Sequence, residues 1–365
     1  MKIGIIGTRG IPNKYGGYEQ FAEFAAPELV KRGHEVTVYN SSLHGYEGTE
    51  WNGVQIITKR DIEDKIGTAG QFIYDLNCIL DARHRDFDII LQLGYTSSSV
   101  WSFLFPKKSI IVTNMDGLEW KRSKYSPATQ RFLMKAEKWA ALKSDLLIAD
   151  SIGIKTYLLN KYNKQSEYIA YGAEIVRKPD HQFLEEKGLR PYQYNIVIAR
   201  LEPENNLEMI IKGHLEVNYS LPLIIIGGIQ NKFGNYLKST YESAKIQFWG
   251  AVYNIDLLNS LRYYSNIYFH GHSVGGTNPS LLEAMASSSL IAAHDNIFNK
   301  SVLGNDAFYF SSINDVSDIL IKFTKKEDHT LKVQNNLKKI DTDFSWPHII
   351  DLLENYFKYG IEKRK

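Results

Sequence analysis

Cysteine is almost missing from this chain: Cys78 is the only one in 365 residues. One thiol builds neither a disulfide framework nor the thiolate set of a zinc site, and it suits a reducing compartment. Excess charge is missing too. Lys and Arg number 43 against 41 Asp and Glu, a net charge of +2, and no basic stripe points to nucleic acid as a partner. Long apolar runs are absent as well. Lys2 and the short run IGIIG follow Met1, with neither a signal-peptide core nor the roughly 20 apolar residues of a membrane span. The expectation is a cytoplasmic protein, soluble or in peripheral contact with the inner membrane.

What is present is enough apolar sequence, 44% of residues, to bury two cores. Short apolar runs (KIGIIGT, EVTVYN, VQIITK, DIILQLG, SIIVTNMD, LLIADS) alternate with amphipathic segments such as 19–31 and 126–143. This βα alternation predicts a parallel sheet over residues 1–173. A second series (YNIVIARL, LPLIIIGG, KIQFWGA, NIYFHG, LIAAHD, AFYF) predicts another α/β domain over 194–345. The polar, aperiodic stretch 174–193, with Pro179 and Pro191, reads as a linker. Ser345, Pro347 and the apolar spacing beyond them predict a closing helix over 346–360. Ligands of open parallel sheets bind beyond the strand C-termini, so a site shared by two facing domains is expected.

Three stretches carry candidate chemistry. In GHSVGGTNPSLLEAM, a strand leads through a Gly-rich turn into a helix. The N–H groups of Gly275, Gly276, Thr277 and Asn278 can hold a diphosphate at the helix N-terminus, and Glu283, about one turn deeper, can reach a sugar or ribose hydroxyl. Near the N-terminus, GTRGIPNKYGGYEQ places Gly16 and Gly17, candidate donor-binding residues, and Arg9 and Lys14, candidate acceptor-side residues, in the first βα loop, where the backbone can approach a phosphate or sugar. The spacing is not that of a dinucleotide fingerprint, and no acidic residue ends VTVYN, which disfavours a dehydrogenase. Arg200 ends the strand IVIAR and can bind phosphate oxygens bidentately, or else pair with Glu202 or Glu204.

In TNMDGLEWKRSKYSP, Asp116, Glu119, Lys121 and Arg122 follow a strand and are candidate acceptor-side residues. Asp116 could orient or deprotonate an acceptor hydroxyl, or simply form an Asx turn before Gly117. Asp150 and Ser151 read as a helix cap, and His270 and His272 as strand-end packing residues without ligand partners. In RFLMKAEKWAALK the cations 131, 135 and 138 share one helical face, suited either to solvent or to an anionic membrane surface.

GGTNPSLLEAM, together with GTRGIPNKYGGYEQFAE and ARLEPENN, resembles the signatures of retaining GT-B glycosyltransferases of family 4, in a rhamnosyltransferase-like branch of bacterial surface-polysaccharide assembly. The resemblance spans essentially the whole chain. It implies two Rossmann-like domains facing each other across a cleft, with the closing helix crossing back to the N-terminal one. It also implies metal-independent transfer, without a cofactor, of a hexosyl group. The expected donor is dTDP-L-rhamnose and the expected acceptor a saccharide or lipid-linked saccharide. Catalytic roles would fall to Asp116, Arg200 and Glu283. The family usually has two Glu residues separated by seven others, yet the position of the first is Gly275, and the usual Lys beside the diphosphate is Asn205. A non-catalytic nucleotide-sugar binder or a GT-B epimerase is the alternative.

Overall fold

The isoleucines of KIGII form the strand β1 (Lys2–Ile6), in which Ile3 and Ile5 are wholly buried. Such a run is apolar on both faces because helices cover both sides of the sheet. In the computed structural model, which describes every residue except Asp116, Ser123, Asp180, Asn218, Tyr219, Phe323, Thr324 and Lys365, β1 lies mid-sheet. Its companions are β2 (Glu35–Ser41), β3 (Glu50–Trp51), β4 (Val54–Lys59), β5 (Ile89–Gln92), β6 (Ile110–Asn114), β7 (Leu146–Ala149) and β8 (Glu167–Tyr168). The order is β3-β4-β2-β1-β5-β6-β7-β8, parallel except for the β3 hairpin.

The chain divides into two compact units, Met1–Tyr171 with Trp346–Lys365, and Gly172–Ser345. In the first, the helix Gly17–Lys31 buries Phe21, Ala22, Ala25 and Leu29, a stripe of helical period. The closing helix Trp346–Arg364 packs on it: the Trp346 ring stacks on Phe24 at 4.5 Å, and Glu354 accepts from Arg32 at 3.0 Å. Gly360 lets this helix approach β7, since a Cβ there would lie 2.7 Å from Leu146.

The second unit holds β9 (Asn195–Ile198), β10 (Leu223–Ile226), β11 (Ile246–Gly250), β12 (Tyr268–His270), β13 (Ile291–His294) and β14 (Phe308–Phe310), all parallel, in the order β11-β10-β9-β12-β13-β14. Its core joins Val197, Ile225, Phe269 and Ala292 on the sheet to Leu207, Ile211 and Leu320 on helices. The polar stretch 174–193 is clasped onto this unit. Val176 N–H donates to Ala286 O at 3.0 Å, Tyr264 Oη donates to Pro179 O at 2.6 Å, and Leu184 is fully buried. Leu184 anchors it by burial and the other contacts are made by backbone groups, which is why no periodicity announces them.

Candidate functional site

In the second unit the loops that leave β9 and β12 are fastened to each other. Asn206 adopts the left-handed conformation (φ 52°), and its side-chain amide donates to Gly271 O at 2.8 Å. Ser273 donates to Glu204 O through its N–H (3.1 Å) and its hydroxyl (2.7 Å). Only glycine fits at position 271, where a Cβ would lie 2.0 Å from Asn205 O. On the other side, Asn296 and Asn299 donate to His272 O at 2.9 and 3.1 Å. The route of the Gly-rich turn is therefore fixed at its entry.

Between these clamps and the helix Pro279–Ala286, the turn itself is open. Gly275 has φ +121°, and a Cβ there would meet nothing within 4 Å. Among the described residues, the N–H groups of Gly275 and Gly276 donate to no protein acceptor. Thr277 is buried, and Asn278 caps the helix by accepting from Ser280 N–H at 2.9 Å. Amides without protein acceptors at a helix N-terminus, where the dipole is positive, suit an anion.

Arg200 is exposed at the end of β9 and makes no ion pair among the described residues, so neither Glu202 nor Glu204 holds it. Asn205 lies beneath it, buried, and spends its side-chain N–H on Arg200 O at 2.7 Å. Its amide thus shapes the turn that presents the guanidinium. Glu283, on the second turn of Pro279–Ala286, accepts a short hydrogen bond through Oε2 from Arg262 Nη2. Arg262 is 2% exposed, and the sequence reading missed it; a lone cation in LLNSLRYY was the available signal.

The first unit treats its loops differently. Gly7 (φ +80°) passes against Gly94, whose O would lie 2.4 Å from a Cβ. Arg9 is bound by Glu63 at 2.8 Å, and its N–H donates to Glu19 at 2.8 Å. Burial pulls the Arg9 pKa down, but the hydrogen bonds and charge of Glu63 outweigh this and hold it above its usual value. Lys14 donates to His44 O at 3.2 Å, and His44 Nε2 donates to Pro12 O at 2.9 Å. Asn40 closes both ends of Ile11, at 3.1 and 2.7 Å. Gly16 and Gly17 start the helix, Gly17 facing the Tyr171 hydroxyl.

Of the segment after β6, Asp116 lies outside the described residues. Glu119 pairs with Arg122 at 2.7 Å, and Lys121 lies over the Trp120 ring at 5.6 Å. Trp120 donates to buried Glu137, which also accepts from Tyr157, Lys161 and Tyr162. The helix Pro127–Lys143 exposes Arg131, Lys135, Lys138, Trp139, Leu142 and Lys143, so Trp139 is exposed alongside the cations. A further group not foreseen is Asp75, buried beside the Ser97 hydroxyl, whose pKa burial pushes up to about 7. Ser151 caps its helix, and His270 is buried and stacked on His272 at 4.4 Å, with burial holding its pKa well below the usual value. Among the described residues, no cluster of three or more His, Cys, Asp or Glu could hold a metal, and no helix is long and apolar enough to cross a membrane.

Residues 1–174 match a family model described as a domain of unknown function, DUF1972. No curated protein matches the chain. Among solved structures it is similar to a sucrose-phosphate synthase from Thermosynechococcus elongatus, at 14% identity and TM-score 0.80 over 98% of each chain. It is also similar to Anabaena HepE in complex with UDP-glucose, at 14% identity and TM-score 0.74, covering 97% of this chain and 98% of that one. An α,α-trehalose 6-phosphate synthase from Burkholderia multivorans gives 11% identity and TM-score 0.73, with 100% and 97% covered. The fold is therefore the GT-B type expected from the sequence: two α/β domains, each built on a parallel sheet.

Proposed function

We propose that this protein is a glycosyltransferase that takes a hexosyl group from a nucleotide-diphosphate sugar and passes it to a hydroxyl acceptor. The observation that carries the reading is the pairing, on one frame, of an exposed guanidinium without an ion-pair partner among the described residues, Arg200, with an open turn whose Gly275 and Gly276 amides donate to no protein acceptor there. Both groups stabilise a diphosphate as its negative charge grows during departure. The C1–O bond to the diphosphate breaks, a C1–O bond to the acceptor forms, and the acceptor proton passes to the departing phosphate. Asp116 is proposed to orient the acceptor hydroxyl, with Lys121 and Arg122 beside an anionic portion of the acceptor. The fold, shared with proteins that include a UDP-glucose complex, supports the donor class.

The finer assignment rests on sequence resemblance: dTDP-L-rhamnose as donor, retention of configuration, and a saccharide or lipid-linked saccharide of a bacterial polysaccharide as acceptor. Peripheral contact with an anionic membrane would use the Arg131, Lys135, Lys138, Trp139 and Leu142 face, where no acidic side chain is exposed on the same helix. The test is a thermal-shift panel of dTDP-, UDP- and GDP-sugars, followed by sugar transfer to a lipid-linked acceptor. A true donor at 100 times its dissociation constant adds about 2.7 kcal/mol of stability. Binding without release of nucleotide in the presence of acceptors would identify a non-catalytic binder instead.

A further inference from the structure

Phe103 is 70% exposed. It stands near the end of the short helix Ser98–Leu104, which packs against both Gly70–Ala82 and Pro127–Lys143. The path from Phe103 to the latter helix is continuous. Its ring lies 6.4 Å from that of Trp101, Trp101 Nε1 donates to Phe72 O at 2.8 Å, and the Phe72 ring lies 5.7 Å from that of Phe132. Lys135 and Trp139 follow Phe132 at helical spacing, on the same side of their helix. With about 3.6 residues per turn, Arg131, Lys135, Lys138, Trp139 and Leu142 fall within about 100° of arc, and all five are exposed. The one acid of this helix, Glu137, is 1% exposed and spends its oxygens on interior donors. A chain with a net charge of only +2 thus gathers three cations around bare apolar side chains.

Water is a poor neighbour for Phe103, Trp139 and Leu142, and the cations select what replaces it. Side chains that project require a complementary socket from a protein partner but none from a fluid bilayer, whose phosphate headgroups also satisfy the cations. Resting on the peripheral contact read above, and deepening it, we propose that Phe103 is the apolar anchor of a surface that docks on anionic phospholipid. Its ring enters the interfacial region beside Trp139 and Leu142, while Arg131, Lys135 and Lys138 hold the headgroups. The contact then has a salt-resistant part and a salt-sensitive part, carried by different side chains of the first unit.

The test is co-sedimentation of the full-length protein with vesicles of phosphatidylcholine, pure or mixed with phosphatidylglycerol, at low and high salt. The wild type is expected to bind the mixed vesicles and not the pure ones. Phe103→Ser should lower partitioning about tenfold or more, the effect of losing one buried phenylalanine ring, without changing the relative salt dependence. Lys135→Gln and Lys138→Gln should each lower it about fivefold and flatten that dependence. Phe103→Trp keeps the anchor and should bind like the wild type, whereas Tyr253→Ser, at a 90% exposed aromatic of the second unit, should change nothing. Binding to neither vesicle, as expected of a surface for an acidic protein, sinks the peripheral-contact reading and this inference with it. Binding that Phe103→Ser leaves intact, or that Tyr253→Ser lowers equally, sinks the inference alone.

Discussion

The two units solve the same architectural problem and then part company at their strand-end loops. In the first, the polar groups of the Gly-rich loop are consumed internally: Arg9 by Glu63, Lys14 by a carbonyl, and the Ile11 backbone by Asn40. In the second, the strand-end loops leave polar groups open, with Arg200 exposed and the Gly275 turn open, while Asn205, Asn206 and Ser273 fix the backbone beneath them. A cation that the protein satisfies for itself is scaffolding. One held in place yet left without an ion pair is available for chemistry.

That contrast can be broken most forcefully at Arg200. Arg200→Ala should lower sugar transfer about a hundredfold or more, the cost of removing a group that meets developing charge, while Arg9→Ala leaves nucleotide binding intact; steady-state kinetics and calorimetry decide. Equal losses in both variants would erase the distinction. Next in size is Gly271→Ala, whose Cβ would collide with Asn205 O at 2.0 Å. A loss of about 3 kcal/mol or outright misfolding is expected by denaturant titration, because backbone rather than a flexible side chain stands in the way.

Buried groups of the two units should also respond to pH with opposite sign. Burial takes His214 from 6.5 down to about 4, and holds His270 well below its usual value. The unfolded chain protonates first, so the stability these histidines contribute is complete above about pH 6.5 and is lost as pH falls toward 4. Burial raises Asp75 from 3.8 to about 7, so its contribution is complete below about 3.8 and is lost as pH rises through 7. Hydrogen exchange resolved by unit should show the second unit less protected at pH 5 than at pH 7, with the reverse trend near Asp75 that Asp75→Asn abolishes. The smallest effect is expected from Arg9→Ala on stability: about 1 kcal/mol for a partly exposed pair, measured by chemical denaturation.

Much of the frame was legible because apolar runs of four to seven residues announce buried parallel strands; β3 and β8, two residues each, carry no such signal. The Gly-rich turn was legible for the same local reason, since a strand, a run of small residues and a capped helix sit consecutively. The partners of its residues were not. Arg262 meets Glu283 across 21 positions, Glu63 meets Arg9 across 54, and Asp75 meets Ser97 across 22. No periodicity encodes such meetings, which only the folded backbone arranges. Asn205 illustrates the point: standing where the resembled family usually has a Lys beside the diphosphate, it is spent on the turn's own carbonyl.

The helix Trp346–Arg364 belongs to the unit that begins at Met1, burying Ile349, Ile350, Leu353 and Phe357 there. The first unit is thus completed by a segment that is made only after the second unit. Its apolar seam must wait, during synthesis, for all of the second domain to be made. Fragments that stop near residue 171 would expose that seam, so the N-terminal half is a poor candidate for separate expression.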